Sequence, residues 1–139
     1  MGCDIHLHTE VKIDGNWHHY GKPSIERDYN LFALMAGVRD YNNITPISAP
    51  KGIPDDATFL TKYDLERYGR DAHTPSWFNS KEIARLYKWV AAKMGLEHWR
   101  IEREYWGYLF GNGWEGFHKH PEDYPRGLED VRFIFWFDN

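Results

Sequence analysis

Residues 4–10, Asp-Ile-His-Leu-His-Thr-Glu, carry carboxylates or imidazoles at every second position. Alternate residues of an extended strand share a face, so Asp4, His6, His8 and Glu10 are expected to point the same way. Two imidazoles at that spacing can hold one metal ion or two adjacent ones, with a carboxylate as a further ligand or proton acceptor. Together with His19 the set becomes His6, His8, His19 and Asp4, a candidate site for a divalent metal such as zinc. In such a site Glu10 or His73 would move protons. The structural alternative is the wet face of a hairpin.

A second group centres on an arginine. Arg27 and Asp28 stand at the start of a predicted helix, where a guanidinium fork and free backbone amides both favour a phosphate. Helix capping and surface ion pairing are the alternative there. Asp55 and Asp56 follow Pro54, and His73 lies in His-Thr-Pro-Ser-Trp, where it could donate to a ligand or shuttle a proton. Trp77, at the end of that run, and Trp17 offer flat surfaces for a base. His118 and His120 repeat the two-residue spacing between Gly116 and Pro121, a context that reads as a solvated loop. Cys3 falls on the apolar side of its strand and reads as a buried, inert thiol. The sequence has no glycine-rich phosphate loop, nucleophile elbow, His-Glu-x-x-His or Cys-x-x-Cys motif.

These residues need elements to hold them. Cys3 to Ile13 alternates apolar and polar as a half-buried strand, and Asp14-Gly15 is a natural two-residue turn. With that pair as the turn, Ile13 faces Asn16, Lys12 faces Trp17 and Glu10 faces His19, which crowds His19 onto the same face as His6 and His8. Beyond Gly21 to Pro23, Ser24 can cap a helix whose apolar positions are Leu31, Leu34, Met35 and Val38, with Gly37 as terminator. Residues 40–58 are too rich in Pro, Gly and Asn for a long element, and a short helical turn fits Thr61 to Tyr68. The clearest helix is Ser80 to Met94, with an apolar stripe of Ile83, Leu86, Tyr87, Val90 and Met94, ended by Gly95. Trp99 to Phe110 fits either a helix or a strand, and residues 111–127 read as a loop. Val131 to Phe137 is a nearly continuous aromatic and branched run, expected as a central strand covered on both faces. The sum is an α+β domain spanning residues 1–139, a small antiparallel or mixed sheet with helices packed on one face.

Composition narrows the function classes. A chain of 139 residues with 42% hydrophobic and 27% charged content fits one globular domain. A net charge of −4 argues against a protein that coats extended nucleic acid by neutralising phosphates. The sole cysteine forms no internal disulfide, and no stretch approaches the roughly 20 apolar residues of a membrane span. Without a signal-peptide pattern, the expected location is the cytoplasm. Seven Trp, nine Tyr and eight Phe, 17% of the chain, can pack a dense core or line a pocket for flat ligands.

Two resemblances bear on these readings. Asp4-Ile5-His6-Leu7-His8-Thr9 resembles the opening motif of the polymerase-and-histidinol-phosphatase phosphoesterases, whose strand carries Asp, His and His as metal ligands. That family has further His, Glu and Asp motifs, and Asp138-Asn139 stands where a late Asp-x-His is expected, so the six-residue match reads as coincidence. Over a much longer span the chain resembles a group of small uncharacterised proteins of tailed bacteriophages and prophages. The matching residues are Met1 to His6, Arg27 to Ala33, Ala36 to Arg39, Pro54 to Asp56, His73 to Trp77 and Phe135 to Asp138. The resemblance implies an accessory protein acting on host physiology or defence in the bacterial cytoplasm. Members often carry Tyr at the position of His8, which favours Cys3, Asp4, His6, Arg27, Asp55, His73 and Trp77 as the site. Three functions follow as expectations: capture of a nucleotide or phosphorylated ligand, metal-dependent hydrolysis of a phosphodiester, and inhibition of a host protein through an aromatic surface.

Overall fold

The computed structural model describes residues 2–97 and 127–139. The expected loop histidines His118 and His120, the ambiguous stretch 99–110 and nearly all of the expected loop 111–127 lie outside the described residues. The elements in chain order are β1 (Asp4–Ile13), β2 (Asn16–Gly21), α1 (Tyr29–Ala36), α2 (Phe59–Tyr68), β3 (Ala72–Phe78), α3 (Ser80–Met94) and β4 (Leu128–Asp138). The four strands form one antiparallel sheet in the order β2-β1-β4-β3. The α+β expectation holds, and the sheet is antiparallel throughout. Among the described residues no helix is long and apolar enough to cross a membrane.

The β1–β2 hairpin keeps the register that the turn arithmetic requires, with Ile13 opposite Asn16, Lys12 opposite Trp17 and Glu10 opposite His19. Asp14 and Gly15 both have positive φ (51° and 79°), as a type I′ turn demands. Strand β4 lies between β1 and β3, and its residues Val131 to Phe137 are all buried. A strand placed there must be apolar on one face and satisfied on the other.

The apolar face carries Cys3 just ahead of β1, Ile5, Leu7 and Val11 from β1, Phe133, Phe135 and Phe137 from β4, and Phe78 from β3. Leu31, Phe32, Leu34 and Met35 of α1 and Ile83, Leu86, Tyr87 and Val90 of α3 pack into the same core. Edge-to-face ring pairs, Phe78 with Phe135 at 4.9 Å and Phe32 with Phe137 at 5.2 Å, fill it. Helix α3 begins with a reciprocal capping box between Asn79 and Glu82 and ends at Gly95, whose φ of 69° is left-handed.

Three features depart from the expectations. The cap of α1 is Asp28 rather than Ser24, because the Asp28 carboxylate accepts the amides of Asn30 and Leu31. His73 to Trp77, to which the sequence assigns no element, belongs to β3. Pro75 is tolerated because β3 is an edge strand and its register shifts between His73 and Ser76, with Thr74 at a φ of 53°. The third concerns the helices. Packing on one face describes α1 and α3, whereas α2 lies over the opposite, polar face, where its side chains bond His6, His8 and Glu10.

The deepest of those bonds gather at Glu10, which is fully buried. Its Oε1 accepts Nε and Nη2 of Arg132 at 3.0 and 2.7 Å. Its Oε2 accepts the Thr58 amide at 3.0 Å and the hydroxyls of Thr58 and Thr61 at 2.7 Å each. Glu10 thus places a negative charge at the N-terminus of α2, where the side chain of Thr58 makes no local cap. Burial alone would raise the Glu10 pKa, but the bonds from Thr58, Thr61 and Arg132 outweigh it and hold the carboxyl below its ordinary value. Arg132 also donates to Asp56 at 2.8 Å and lies 3.9 Å from the centre of the Trp17 ring. Removing one partner of such a pair strands the other charge. Arg132→Met should therefore lower the unfolding free energy by about 3–5 kcal/mol in urea titrations. A loss below about 1 kcal/mol would show that Glu10 is satisfied without the arginine.

Candidate functional site

The polar face of the sheet and the inner face of α2 are matched stripes. Thr61, Asp64 and Tyr68 stand at i, i+3 and i+7, one side of a helix. Each bonds one residue of β1: Thr61 with Glu10, Asp64 with His8, and Tyr68 with His6. The helix therefore runs antiparallel to the strand. Seven helical residues rise about 10.5 Å and four strand residues about 13 Å, a difference that side-chain reach absorbs.

In the middle of the stripe sits His8, 3% exposed. Its Nε2 is 2.7 Å from Asp64 Oδ2 and its Nδ1 is 2.9 Å from His19 Nε2. Lys22 donates to the same Asp64 oxygen at 2.7 Å, and an Arg67 nitrogen lies 3.6 Å from the other. Burial would raise the Asp64 pKa, but its bonds from Lys22 and His8 bring it below the ordinary value. Since Lys22 already compensates that carboxylate, His8 need not be charged. Burial lowers the pKa of His8 against the pull of Asp64, and lowers that of His19 against Glu10 and Asp64. With Asp64 as acceptor, His8 Nε2 is the donor and its Nδ1 accepts from His19. The ring of His8 stacks on Trp136 at 5.3 Å, so this part of the stripe is packed, and both ring nitrogens of His8 are taken.

The outer end is more open. Asp4 and Asp138 oppose each other across β1 and β4, two like charges on one face, and each has taken a partner. Arg27 forks onto Asp4 with Nε and Nη2, both at 3.0 Å, and this bond holds the Asp4 carboxyl below its ordinary pKa. His6 Nε2 lies 2.7 Å from Asp138 Oδ2, and His6 Nδ1 lies 3.1 Å from the Tyr68 hydroxyl. The side chains of His6 and Asp138 are 16% and 23% exposed, those of Asp4 and Arg27 about half. The Tyr68 ring rests on His6 with centroids 4.1 Å apart. Carboxylate, imidazole and hydroxyl in line can pass a proton, and a guanidinium on the same rim can take an anion.

Of the seven residues expected to form the site, Asp4, His6 and Arg27 meet at this end of the sheet. His73 enters one rung in from Asp138, but its ring stacks on Phe137, whose side chain belongs to the apolar face. It bonds Thr74 and Asn139 at 3.0 and 3.1 Å. Trp77 stands farther along β3, opposite Ile134, with Lys51 4.0 Å from its ring centre and bonded to Glu82. Asp55 is exposed on the loop before α2, where its carbonyl accepts from Lys62. Cys3 is fully buried, and burial pushes its thiol pKa up. Of the metal set His6, His8, His19 and Asp4, only His8 and His19 bond each other, while Asp4 turns to Arg27 and His6 to Asp138. Among the described residues no three His, Cys, Asp or Glu side chains are grouped to hold a metal ion.

Asp138, Tyr68 and Asp64 were not among the expected site residues. The i, i+3, i+7 stripe of α2 was the available signal for the last two, and Asp138 needed the pairing of β1 with β4. Comparison with family models, curated proteins and solved structures returns no match.

Because His8 and His19 are harder to protonate when folded, the unfolded chain takes up more protons as pH falls through about 6.5. Their contribution is complete above that pH and is lost as pH falls toward their lowered folded values. In His19→Gln, unfolding free energy plotted against pH between about 6.5 and 5 should fall less steeply than in the native chain. Equal slopes would exclude His19 as a source of the acid sensitivity.

Proposed function

We propose that this chain binds a phosphorylated small molecule of nucleotide type at the outer end of its polar sheet face. Arg27 would hold the phosphate, and His6 and Tyr68 the adjoining sugar or ester oxygens. The observation that carries the reading is the Arg27–Asp4 pair. A guanidinium fork stands half exposed against a half-exposed carboxylate, with hydrogen bonds of 3.0 Å. Exposed ion pairs contribute little to stability, so a phosphate can displace Asp4 at small cost and gain two charge-assisted bonds. Lys22, 5.7 Å from the Tyr68 ring centre, adds positive potential on the same side. Tyr68 supplies the aromatic surface here, since Trp77 lies elsewhere and already carries Lys51.

The resemblance to phage and prophage proteins supports an accessory, anti-defence role in a bacterial host, with a nucleotide signal of the host as ligand. A second reading, docking to a host defence protein, is favoured by the outer side of α2. There Phe59, Leu60 and Tyr63 are 75%, 53% and 53% exposed, and the rings of Phe59 and Tyr63 stack. Phe59→Ser with Tyr63→Ser should abolish capture of that partner and leave phosphate binding intact.

Calorimetric titration with ADP, AMP and adenosine tests the main reading. The phosphorylated compounds should bind and adenosine should not, and Arg27→Ala should weaken ADP by about tenfold or more. No heat from a broad panel of nucleoside mono-, di- and cyclic phosphates would reject it.

A further inference from the structure

We infer that the phosphate site is also a reaction centre, in which Tyr68 is the nucleophile toward a phosphodiester, His6 its base and Asp138 the residue that orients His6. The inference rests on the phosphate-binding reading above. What takes it further is the alignment of three groups contributed by β4, β1 and α2. Asp138 Oδ2 is 2.7 Å from His6 Nε2, and His6 Nδ1 is 3.1 Å from Tyr68 Oη. In the neutral imidazole, a carboxylate on Nε2 fixes that nitrogen as the donor and leaves Nδ1 as the acceptor aimed at the hydroxyl. A nucleophile within hydrogen-bond reach of a base, and that base oriented by a third group, is the general geometry of an activated hydroxyl.

The hold of α2 on β1 does not rest on these three groups alone. Asp64 and Thr61 already tie α2 to β1 at two points deeper in the stripe, in fully satisfied networks. The His6 and Asp138 side chains, by contrast, keep part of their surface in water. Tyr68 is the last residue of α2, followed by Gly69 with a φ of 52°, so the helix stops where its final side chain reaches His6. Arg27 is held at the same end of the sheet by Asp4, which stands opposite Asp138 across β1 and β4.

The chemistry closes without an external co-reactant other than water. As the Tyr68 O–H proton moves to His6 Nδ1, the Oη–P bond forms and the bond from phosphorus to the leaving oxygen breaks. The leaving alkoxide takes the proton from His6 and departs as an alcohol. Water then attacks the tyrosyl phosphodiester and gives a proton to His6 as its oxygen bonds phosphorus. The P–Oη bond breaks, and the Tyr68 oxygen recovers the proton from His6. The net reaction is diester plus water to monoester plus alcohol.

Bis(p-nitrophenyl) phosphate is a suitable probe, because its phenolate leaves without needing a proton and the first step is read alone. The native chain should release p-nitrophenolate in a burst approaching one equivalent per chain, and mass spectrometry after acid quench should find the adduct on Tyr68. Tyr68→Phe should lose burst and adduct while its thermal unfolding stays close to native. His6→Asn should slow the burst by about 100-fold or more. Asp138→Asn, which can support either imidazole tautomer, should slow adduct formation and change its pH profile while the probe still binds. Release unchanged in Tyr68→Phe would overturn the assignment, and release lost to a chelator and restored by a divalent cation would do so in favour of metal-dependent hydrolysis. Binding of the probe without any release would overturn the reaction and leave the binding site standing, whereas absence of binding would remove both.

Discussion

A sheet face that carries Asp4, His6, His8 and Glu10 on one strand and Arg132 and Asp138 on the next cannot be covered by an ordinary apolar helix. Each of those groups loses water when covered and must find a partner in exchange. Helix α2 meets that constraint with a stripe of Thr61, Asp64 and Tyr68 spaced to meet Glu10, His8 and His6 in turn. The Glu10–Arg132 pair anchors the arrangement from below, and the N-terminus of α2 is set on the same carboxylate. The position of α2, the burial of His8 and the exposure of the Tyr68 end all follow from that one match.

The same match divides the stripe by depth. Around Glu10 and His8 the bonds close on one another, and the desolvated imidazole favours its neutral form. Toward Asp4 and Asp138 the partners are solvent-facing and can be exchanged. Chemistry is easiest to place where protein partners hold a group loosely enough for a ligand to replace one of them. The outer end of this face has that property.

Much of this is legible in the amino-acid sequence alone. The Asp14-Gly15 turn set the hairpin register, and with it the convergence of His19 on His8. The strand of Val131 to Phe137 announces its central position by carrying a single polar residue, Arg132. What escaped was information that resides in pairing between distant segments. Alternation puts His6 and His8 on one face, but only the β1–β4 register tells that Asp138 stands beside His6 and Arg132 beside Glu10. The metal reading followed from spacing, which is blind to whether neighbouring ligands have been claimed by a helix. Strand β3 was hidden by Pro75, a residue that forbids a central strand and merely marks an edge. The aromatic surplus was also ambiguous in composition: Trp17 and Trp77 turn their rings to Arg132 and Lys51.

Pro75 bears on self-association. The run Phe-Ile-Phe-Trp-Phe in β4 has the high β-propensity, low charge and absence of Pro that favour fibril formation, and β3 is its neighbour at the rim of the sheet. Pro75 has no amide to offer an incoming strand, and its carbonyl is taken by the Gly52 amide at 3.0 Å. The adjacent Lys51 amide binds the Ser76 hydroxyl at 3.1 Å and keeps the same loop against the rim. A blunted rim beside the most aggregation-prone strand lets the folded chain keep that segment internal without offering its edge as a template for another molecule. The hazard is thereby confined to the unfolded state, and the rate of unfolding, more than any surface property, becomes what sets the lifetime of the protein against aggregation.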